Sequence, residues 1–186
     1  ASAFLPGGTV ALTAGRHPDA ARLWQASGPD LTEGLPVVVL VDGRSASAAE
    51  VVAAALGDRG RAVVVGSVTT GKGLIQAVVP LPNGGELLVT WSQVLGPGGR
   101  PIQGIGVLPA VCTSLGTDAL AEDLARLRRD EPPVAAAPAR PRALRTPPPI
   151  PLSSAEIAAL RASCPPAEGR DADVAAARAL LDSPNA

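Results

Sequence analysis

Two apolar runs on either side of a helix-forming segment constrain the fold of this chain more than any other feature. Pro36–Val41 is continuous, β-branched and apolar, which is typical of a strand buried on both faces of a parallel sheet. Ser47–Leu56 is rich in alanine and predicts a helix, and Ala62–Gly66 predicts a second buried strand. A strand, a helix and a strand in this order form a βαβ unit, whose strands run parallel. The sequence therefore predicts an α/β fold.

The segments that follow predict a β-hairpin, and after it a proline-rich linker and short helices towards the C-terminus. Leu74–Leu81 and Glu86–Val94 are strand-like, and Pro82–Gly85 between them is a strong turn signal. Prolines crowd residues 131–152, which predicts an extended linker. The chain thus divides into a core at 1–116, a helix at 117–130, the linker at 131–152 and a short helical extension at 153–186. The helices predicted after the core are Ala119–Arg129, Ser154–Ser163 and Asp171–Leu181.

Charge and rare residue types exclude several classes of function. The 186 residues carry a formal net charge of −1, which argues against nucleic acid as a partner and against a polybasic membrane-surface protein. One histidine and two distant cysteines cannot build a typical His/Cys zinc site, so we expect no metal, and we expect no cofactor. His17 precedes Pro18 in a polar, turn-like stretch, and a lone loop histidine is usually solvated. We therefore do not expect a Ser-His-Asp triad.

Lys72 is the only lysine among 16 basic residues, and the other 15 are arginines. A desolvated lysine can act as a base near neutral pH, whereas arginine stays charged. We expect the flanking Gly71 and Gly73 to let Lys72 approach a backbone closely and lie in a dry cleft. Residues 66–72 approach a nucleotide-binding P-loop, but Gly73 stands where that motif needs Ser or Thr, and a predicted strand follows. The alternative for Lys72 is an ordinary surface lysine.

Ser47 lies where the first predicted strand turns into the helix, and two roles fit that place. Ser47 and Glu50 have the spacing of a capping box, which needs no chemistry. A serine at a helix N-terminus also faces free backbone N–H groups that could stabilise an oxyanion. Lys72 could serve as its base, and Gln76 would share a face with Lys72 if that segment is extended. A Ser–Lys acyl-transfer site and a cap with a separate surface lysine both remain open from the residues alone.

Four segments resemble the carboxy-terminal processing (tail-specific) serine proteases, in the order and at about the separations of that family. They are Pro36–Glu50, Gly60–Gly66, Gly71–Gln76 and Gly99–Val107. The resemblance runs from about Phe4 to about Val111. It implies a Ser–Lys peptidase on a crotonase-like ββα core, present here in part, which cleaves protein or peptide substrates near their C-termini.

The resemblance also implies a role for individual residues. The family's nucleophile is the second serine of Ser-Ala-Ser-Ala, which falls on Ser47 and not on Ser45. Its general base falls on Lys72, and the glutamine that orients the base falls on Gln76. The N–H of Ala48, the residue after the nucleophile, would be one oxyanion donor.

Several departures from the family pattern shape our expectations. Family members usually carry an upstream PDZ domain and a glycine-rich strand end that gives the second oxyanion donor. Neither is found in this chain, so we expect a fragment that is a poor protease alone. Pro109–Val111 replaces Pro-Asp-Ile, and Leu95–Gly96 replaces an aromatic pair, which affects the expected substrate preference. One alternative function is a catalytically incompetent binding or assembly module. A crotonase-like acyl-thioester enzyme is a weaker alternative, because it would not need Ser47 and Lys72 together.

Cys112 and Cys164 are the only cysteines, and we predict that they form a disulfide across the proline-rich linker. The bridge would tie the C-terminal extension to the core and contribute about 3–4 kcal/mol in the chain-entropy model. Two buried thiols are the alternative. Disulfides persist in oxidising compartments, so the bridge and the family resemblance together predict an extracytoplasmic, periplasmic or exported protein.

Overall fold

A computed structural model describes residues 1–129 and 152–182 of the chain. Its strands are β1 (Gly7–Ala14), β2 (Arg22–Ser27), β3 (Val38–Val41), β4 (Val63–Gly66), β5 (Leu74–Pro80), β6 (Glu86–Leu95) and β7 (Val111–Cys112). Its helices are α1 (Ala48–Asp58), α2 (Thr117–Arg128), α3 (Ser154–Ala162) and α4 (Asp171–Leu181), and a 3₁₀ turn covers Pro18–Ala20. The predicted linker lies outside the described residues, apart from Leu152. The division of the chain into four parts stays a prediction.

The predicted βαβ unit is present and builds one side of a three-stranded sheet. The strand order is β3-β4-β7, and both pairs are parallel. Helix α1 crosses over between β3 and β4, and it buries Ala53, Ala55 and Leu56. The ends of β3 and β4 meet closely, because a Cβ on Gly66 would lie 1.8 Å from the carbonyl oxygen of Val41. This contact requires glycine at the end of β4.

The prediction that Pro36–Val41 is a strand buried on both faces was wrong in part, because the strand begins at Val38 and both Pro36 and Leu40 are exposed. Val41 is buried and Val39 is partly buried, and both pack against α1. Val38 packs in a second cluster that includes residues of α2 and α4. Leu40 is 45% exposed, because β3 is an edge strand and none of the described residues covers that position.

A four-stranded antiparallel sheet, in the order β2-β1-β6-β5, forms the second layer. The predicted hairpin is confirmed, since β5 pairs with β6 from Leu74 opposite Gln93 to Pro80 opposite Glu86. Strand β2 was not predicted, because it lies in a polar stretch and exposes Leu23 and Trp24. Most of the apolar side chains of the hairpin are exposed as well, including Val78, Leu88 and Trp91.

The C-terminal segment, residues 152–182, packs onto the parallel sheet. Ala176 of α4 shares a buried cluster with Val65 and Val111. The predicted disulfide between Cys112 and Cys164 is present, with the two Cα atoms 5.7 Å apart. It joins the end of β7 to the turn after α3 and thereby holds the segment against the core. Among the described residues, no helix is both long and apolar enough to cross a membrane.

Candidate functional site

Ser47 has an unusual backbone conformation at the junction of loop 42–47 and helix α1. Its φ of 58° and ψ of −120° lie outside the regions that non-glycine residues ordinarily adopt. Such strain is typical of functional sites and persists only where surrounding contacts hold it. The residue is exposed, and within the described chain its hydroxyl makes no hydrogen bond to the helix backbone. Of the predicted capping box, the half in which the Glu50 carboxylate accepts from the N–H of Ser47 is formed, and the half that uses the Ser47 hydroxyl is not.

Ser45, the neighbouring candidate, has its hydroxyl bound to Asp42. Its Oγ lies 3.2 Å from Asp42 Oδ1, to which it donates, and accepts from the N–H of Asp42 at 3.1 Å. Burial acts to raise the pKa of Asp42, but hydrogen bonds from Arg44, Gly169 and Ser45 outweigh it and hold that pKa below its ordinary value. Ser45 thus stabilises the loop, whereas Ser47 is exposed.

Glu50 links the two candidate residues, and sequence reasoning assigned it only to the capping box. Its side chain is completely buried. Oε2 accepts from the backbone N–H groups of Ser47, at 2.9 Å, and Lys72, at 2.8 Å. Oε1 accepts from the N–H of Gly71 at 2.7 Å and from the hydroxyl of Thr69. One carboxylate therefore fixes the backbone of loop 42–47 against that of loop 67–73.

Gly71 and Gly73 allow the close backbone approach that the sequence predicted. Gly71 has a φ of +85°, and a Cβ there would lie 3.1 Å from backbone atoms of Gly104 and Gly106. Its carbonyl accepts from the N–H of Gly104 at 2.9 Å. The N–H of Gly73 donates to Gln103 Oε1 at 2.9 Å. Loop 67–73 is therefore packed between Glu50 and loop 103–106.

The side chains of Lys72 and Gln76 lie in a more open place than predicted. Both residues are exposed, so the expectation of a dry cleft around Lys72 was wrong. Nothing in the described part of the chain covers them. Strand β5 begins only at Leu74, and its pairing with β6 is irregular between Ile75 and Gln76, so simple alternation does not set the relation of Gln76 to Lys72. Within the described residues, no hydrogen bond joins the side chains of Ser47, Lys72 and Gln76.

Ala48 is the first residue of α1, and its backbone N–H lies at the positive end of the helix. The first four N–H groups of a helix have no acceptor within that helix. In the described residues the N–H of Ala48 has no other acceptor either. It is therefore available to an oxygen bound beside Ser47.

His17 makes local contacts of its own. Its Nδ1 accepts from the N–H of Asp19 at 3.2 Å, and its ring centroid lies 5.3 Å from that of Trp91. The imidazole is more than half exposed. The described residues contain no group of three His, Cys, Asp or Glu side chains that could hold a metal ion.

Comparison with known proteins assigns the family. The sequence profile of peptidase family S41 matches residues 1–112, which carry loop 42–47, loop 67–73 and both sheets. The chain belongs to peptidase family S41. Residues after 112, including the C-terminal segment, lie outside the S41 match.

The chain is similar to processing proteases of bacteria and plants. A carboxy-terminal-processing protease of Bartonella bacilliformis is 41% identical over 109 residues, which cover 59% of this chain and 25% of that protein. The chloroplastic carboxyl-terminal-processing peptidase 1 of Arabidopsis thaliana is 43% identical over 103 residues, covering 55% of this chain and 21% of the relative. The chain thus spans a quarter or less of the length of these relatives.

A solved structure agrees with this assignment. The photosystem II D1 C-terminal processing protease superposes with a TM-score of 0.53 at 36% sequence identity. The superposition covers 61% of this chain and 31% of that protein. The mixed α/β architecture is therefore shared with a processing protease.

Proposed function

We propose that the protein containing this chain is a serine endopeptidase that cleaves protein substrates near their C-termini through an acyl-enzyme. In this proposal Ser47 is the nucleophile, Lys72 is its general base and Gln76 orients the amine of Lys72. The N–H of Ala48 is one donor of the oxyanion hole. The core that carries these residues would be a partial crotonase-like ββα fold, as the family resemblance implies.

The observation that carries this proposal is the shared hydrogen bonding of Ser47 and Lys72 to Glu50. A catalytic pair must be held within hydrogen-bond reach during reaction, and a buried carboxylate that binds both backbones limits their separation. The strained backbone of Ser47 at the start of α1 is typical of the strand-to-helix turns that carry a nucleophile. The exposed positions of Lys72 and Gln76 suit a site that becomes covered when substrate binds.

The proposed chemistry follows from these positions. Ser47 Oγ attacks the carbonyl carbon of the scissile peptide, and Nζ of a neutral Lys72 takes the hydroxyl proton. The N–H of Ala48 donates to the oxyanion that forms. As the C–N bond breaks, the proton moves from Lys72 to the leaving amine. Water, deprotonated by Lys72, then attacks the ester carbon. As the C–O bond to Ser47 breaks, the proton passes from Lys72 to Oγ, which releases the carboxylic acid product and restores the free hydroxyl.

Partners and compartment follow as further parts of the proposal. The expected partners are protein or peptide substrates and not nucleic acid, and an upstream PDZ domain of the whole protein would present them. The disulfide between Cys112 and Cys164 supports an extracytoplasmic location, because such bridges persist in oxidising compartments.

The experiment that tests the function compares two neighbouring serines in the whole protein. An unfolded protein substrate is incubated with wild-type protein, Ser47→Ala and Ser45→Ala. We expect Ser47→Ala to lose turnover by about 10⁴-fold or more, whereas Ser45→Ala stays within about tenfold of wild type. Cleavage that survives in Ser47→Ala would overturn the assignment. No cleavage by wild type would favour the catalytically incompetent module instead.

A further inference from the structure

The C-terminal segment, which lies outside the family match, contacts both loops of the candidate site. On loop 42–47, the carbonyl of Ala167 accepts from the N–H of Gly43 at 2.7 Å. The N–H of Gly169 donates to Asp42 Oδ2 at 3.0 Å. Asp42 also binds Ser45 and Arg44, so the segment contacts the residue that organises this loop.

The same segment contacts loop 67–73 through backbone and side-chain groups. Ser67 and Ala167 are joined twice, since Ser67 Oγ donates to the carbonyl of Ala167 and accepts from its N–H, each at 3.0 Å. The N–H of Val68 donates to the carbonyl of Cys164 at 3.3 Å. Ala167 therefore lies between the two loops and binds both.

Arg161 of α3 contacts loop 67–73 at Thr69, three residues before Lys72. Its Nη1 donates to the carbonyl of Thr69 and to that of Ile105, both at 2.9 Å. The side chain of Thr69 is buried and donates to Glu50. Thr69 is thus held by Glu50 through its hydroxyl and by Arg161 through its carbonyl. Hydrogen bonds from a charged, half-buried guanidinium are stronger than those between neutral groups.

We propose that the C-terminal segment is a positioning element of this site and that Arg161 is its positioning residue. The inference rests on the proposed function, because it assigns a role in holding Lys72 relative to Ser47. Arg161 fixes the carbonyl of Thr69, three residues before Lys72, and so limits movement of loop 67–73 away from α1. Within the described residues no hydrogen bond joins Arg161 to Ser47 or Lys72, so Arg161 acts through the loop.

The disulfide gives the segment a fixed attachment close to Arg161. Cys164 follows Arg161 by three residues and is bonded to Cys112 at the end of β7. The N–H of Cys164 also donates to the carbonyl of Arg161. The bridge therefore limits the distance over which Arg161 can move from loop 67–73.

The kinetic test uses the whole protein with three variants, assayed well below their unfolding temperatures. Arg161→Met removes both hydrogen bonds and keeps much of the side-chain volume. We expect kcat to fall about tenfold or more while KM changes less than about threefold, because misplacement of a reacting group affects the transition state. Arg161→Lys should recover part of kcat, since an ammonium can donate to both carbonyls. Arg178→Met, an exposed arginine on α4 of the same segment, is the matched control and should keep wild-type kinetics.

Amide hydrogen exchange tests the inference without any need for catalysis. Peptides that cover loop 67–73 should exchange faster in Arg161→Met than in Arg178→Met, whereas peptides from β5 and β6 should not change. Wild-type kcat in Arg161→Met, or unchanged exchange in that loop, would overturn the inference. If Arg161→Met does not fold, Arg161→Lys with wild-type kcat and faster exchange would also contradict it. Absence of Ser47-dependent cleavage in wild type would refute the proposed function, and the exchange result would still decide whether Arg161 holds the loop.

Discussion

At the scale of single residues, Glu50 determines more of the site than either proposed catalytic residue does. Four donors converge on one buried carboxylate, and they come from residues 47, 69, 71 and 72. Replacing a buried acceptor with this many partners is strongly destabilising. Each donor would stay buried, away from water, without a hydrogen bond. The site is therefore organised from inside the molecule, beneath the exposed side chains of Ser47 and Lys72.

Glu50→Gln should damage stability and activity together. The new amide would point N–H groups at backbone N–H donors, so we expect a loss of about 2–4 kcal/mol in the free energy of unfolding. Activity at a temperature where the variant is folded should fall by about 100-fold, because Ser47 and Lys72 are no longer held together. Glu86→Gln, an exposed glutamate at the start of β6, is the control and should change stability by less than about 0.5 kcal/mol. Urea unfolding and peptide cleavage are measured, and wild-type values for Glu50→Gln would contradict the role of this carboxylate.

Asp42 should make stability depend on pH in the acid range. Burial opposes ionisation, but the hydrogen bonds from Arg44, Gly169 and Ser45 dominate and lower the pKa of Asp42 in the folded state. A lowered folded-state pKa stabilises the protein above the unfolded-state pKa of about 3.9. That stabilisation is lost as the pH falls through the folded-state pKa. Asp42→Asn should therefore be less stable than wild type at pH 7, and the gap in Tm should shrink below about pH 4. A gap that is constant from pH 7 to pH 2.5 would refute this expectation.

At the scale of elements, the sequence could predict the local pieces and not their assembly. The apolar runs at β3 and β4, the alanine-rich α1 and the glycine turn of the hairpin are local signals, and all four elements formed where expected. Strand β2 was not predicted, because its stretch of the sequence is polar and carries no strand pattern. Its extended conformation comes from pairing with β1. The role of Glu50 was not predicted either, because three of its four partners lie 19 to 22 residues away along the chain. The capping-box spacing pointed to Glu50, but only the packing of loop 67–73 against α1 supplies its other donors.

A pair of glycines tests how tightly loop 67–73 is packed. Gly71 and Gly84 have almost the same φ, +85° and +82°, but only Gly71 is crowded by backbone atoms, and Gly84 has nothing within 4 Å of an added Cβ. Gly84→Ala should cost about 1 kcal/mol for the left-handed backbone alone. Gly71→Ala should cost about 2–3 kcal/mol, because the methyl group must also displace loop 103–106. Denaturant midpoints of the two variants are compared, and equal losses would show that the loop is not packed as described.

At the scale of the whole molecule, the disulfide joins the part of the chain matched by family S41 to the part beyond it. Cys112 is the last matched residue, and Cys164 lies 52 residues later in the C-terminal segment. The two-cysteine composition predicted the pairing. The contacts of the segment with loops 42–47 and 67–73 had no sequence signal, because they use mainly backbone groups of the turn around Ala167. A family motif could not have indicated them either.

Reduction of the bridge should destabilise the whole molecule. Closing a loop of this length is worth about 4 kcal/mol in the chain-entropy model, so the urea midpoint should fall when dithiothreitol is present. The double variant Cys112→Ala with Cys164→Ala is the control, and its midpoint should be the same with and without reductant. Thiol titration of the unfolded, unreduced protein should find no free thiol from this pair. Two free thiols, or a wild-type midpoint that does not respond to reductant, would contradict the bridge and its support for an oxidising compartment.

Turnover by Lys72→Arg in the whole protein tests the central claim most directly. Arginine keeps much of the length of the side chain, but its guanidinium stays protonated and cannot take the proton of Ser47. We predict that Lys72→Arg folds with the wild-type Tm and cleaves an unfolded protein substrate no faster than Ser47→Ala. A folded Lys72→Arg variant with wild-type turnover would show that Lys72 is not the base, and the proposed Ser–Lys mechanism would be wrong.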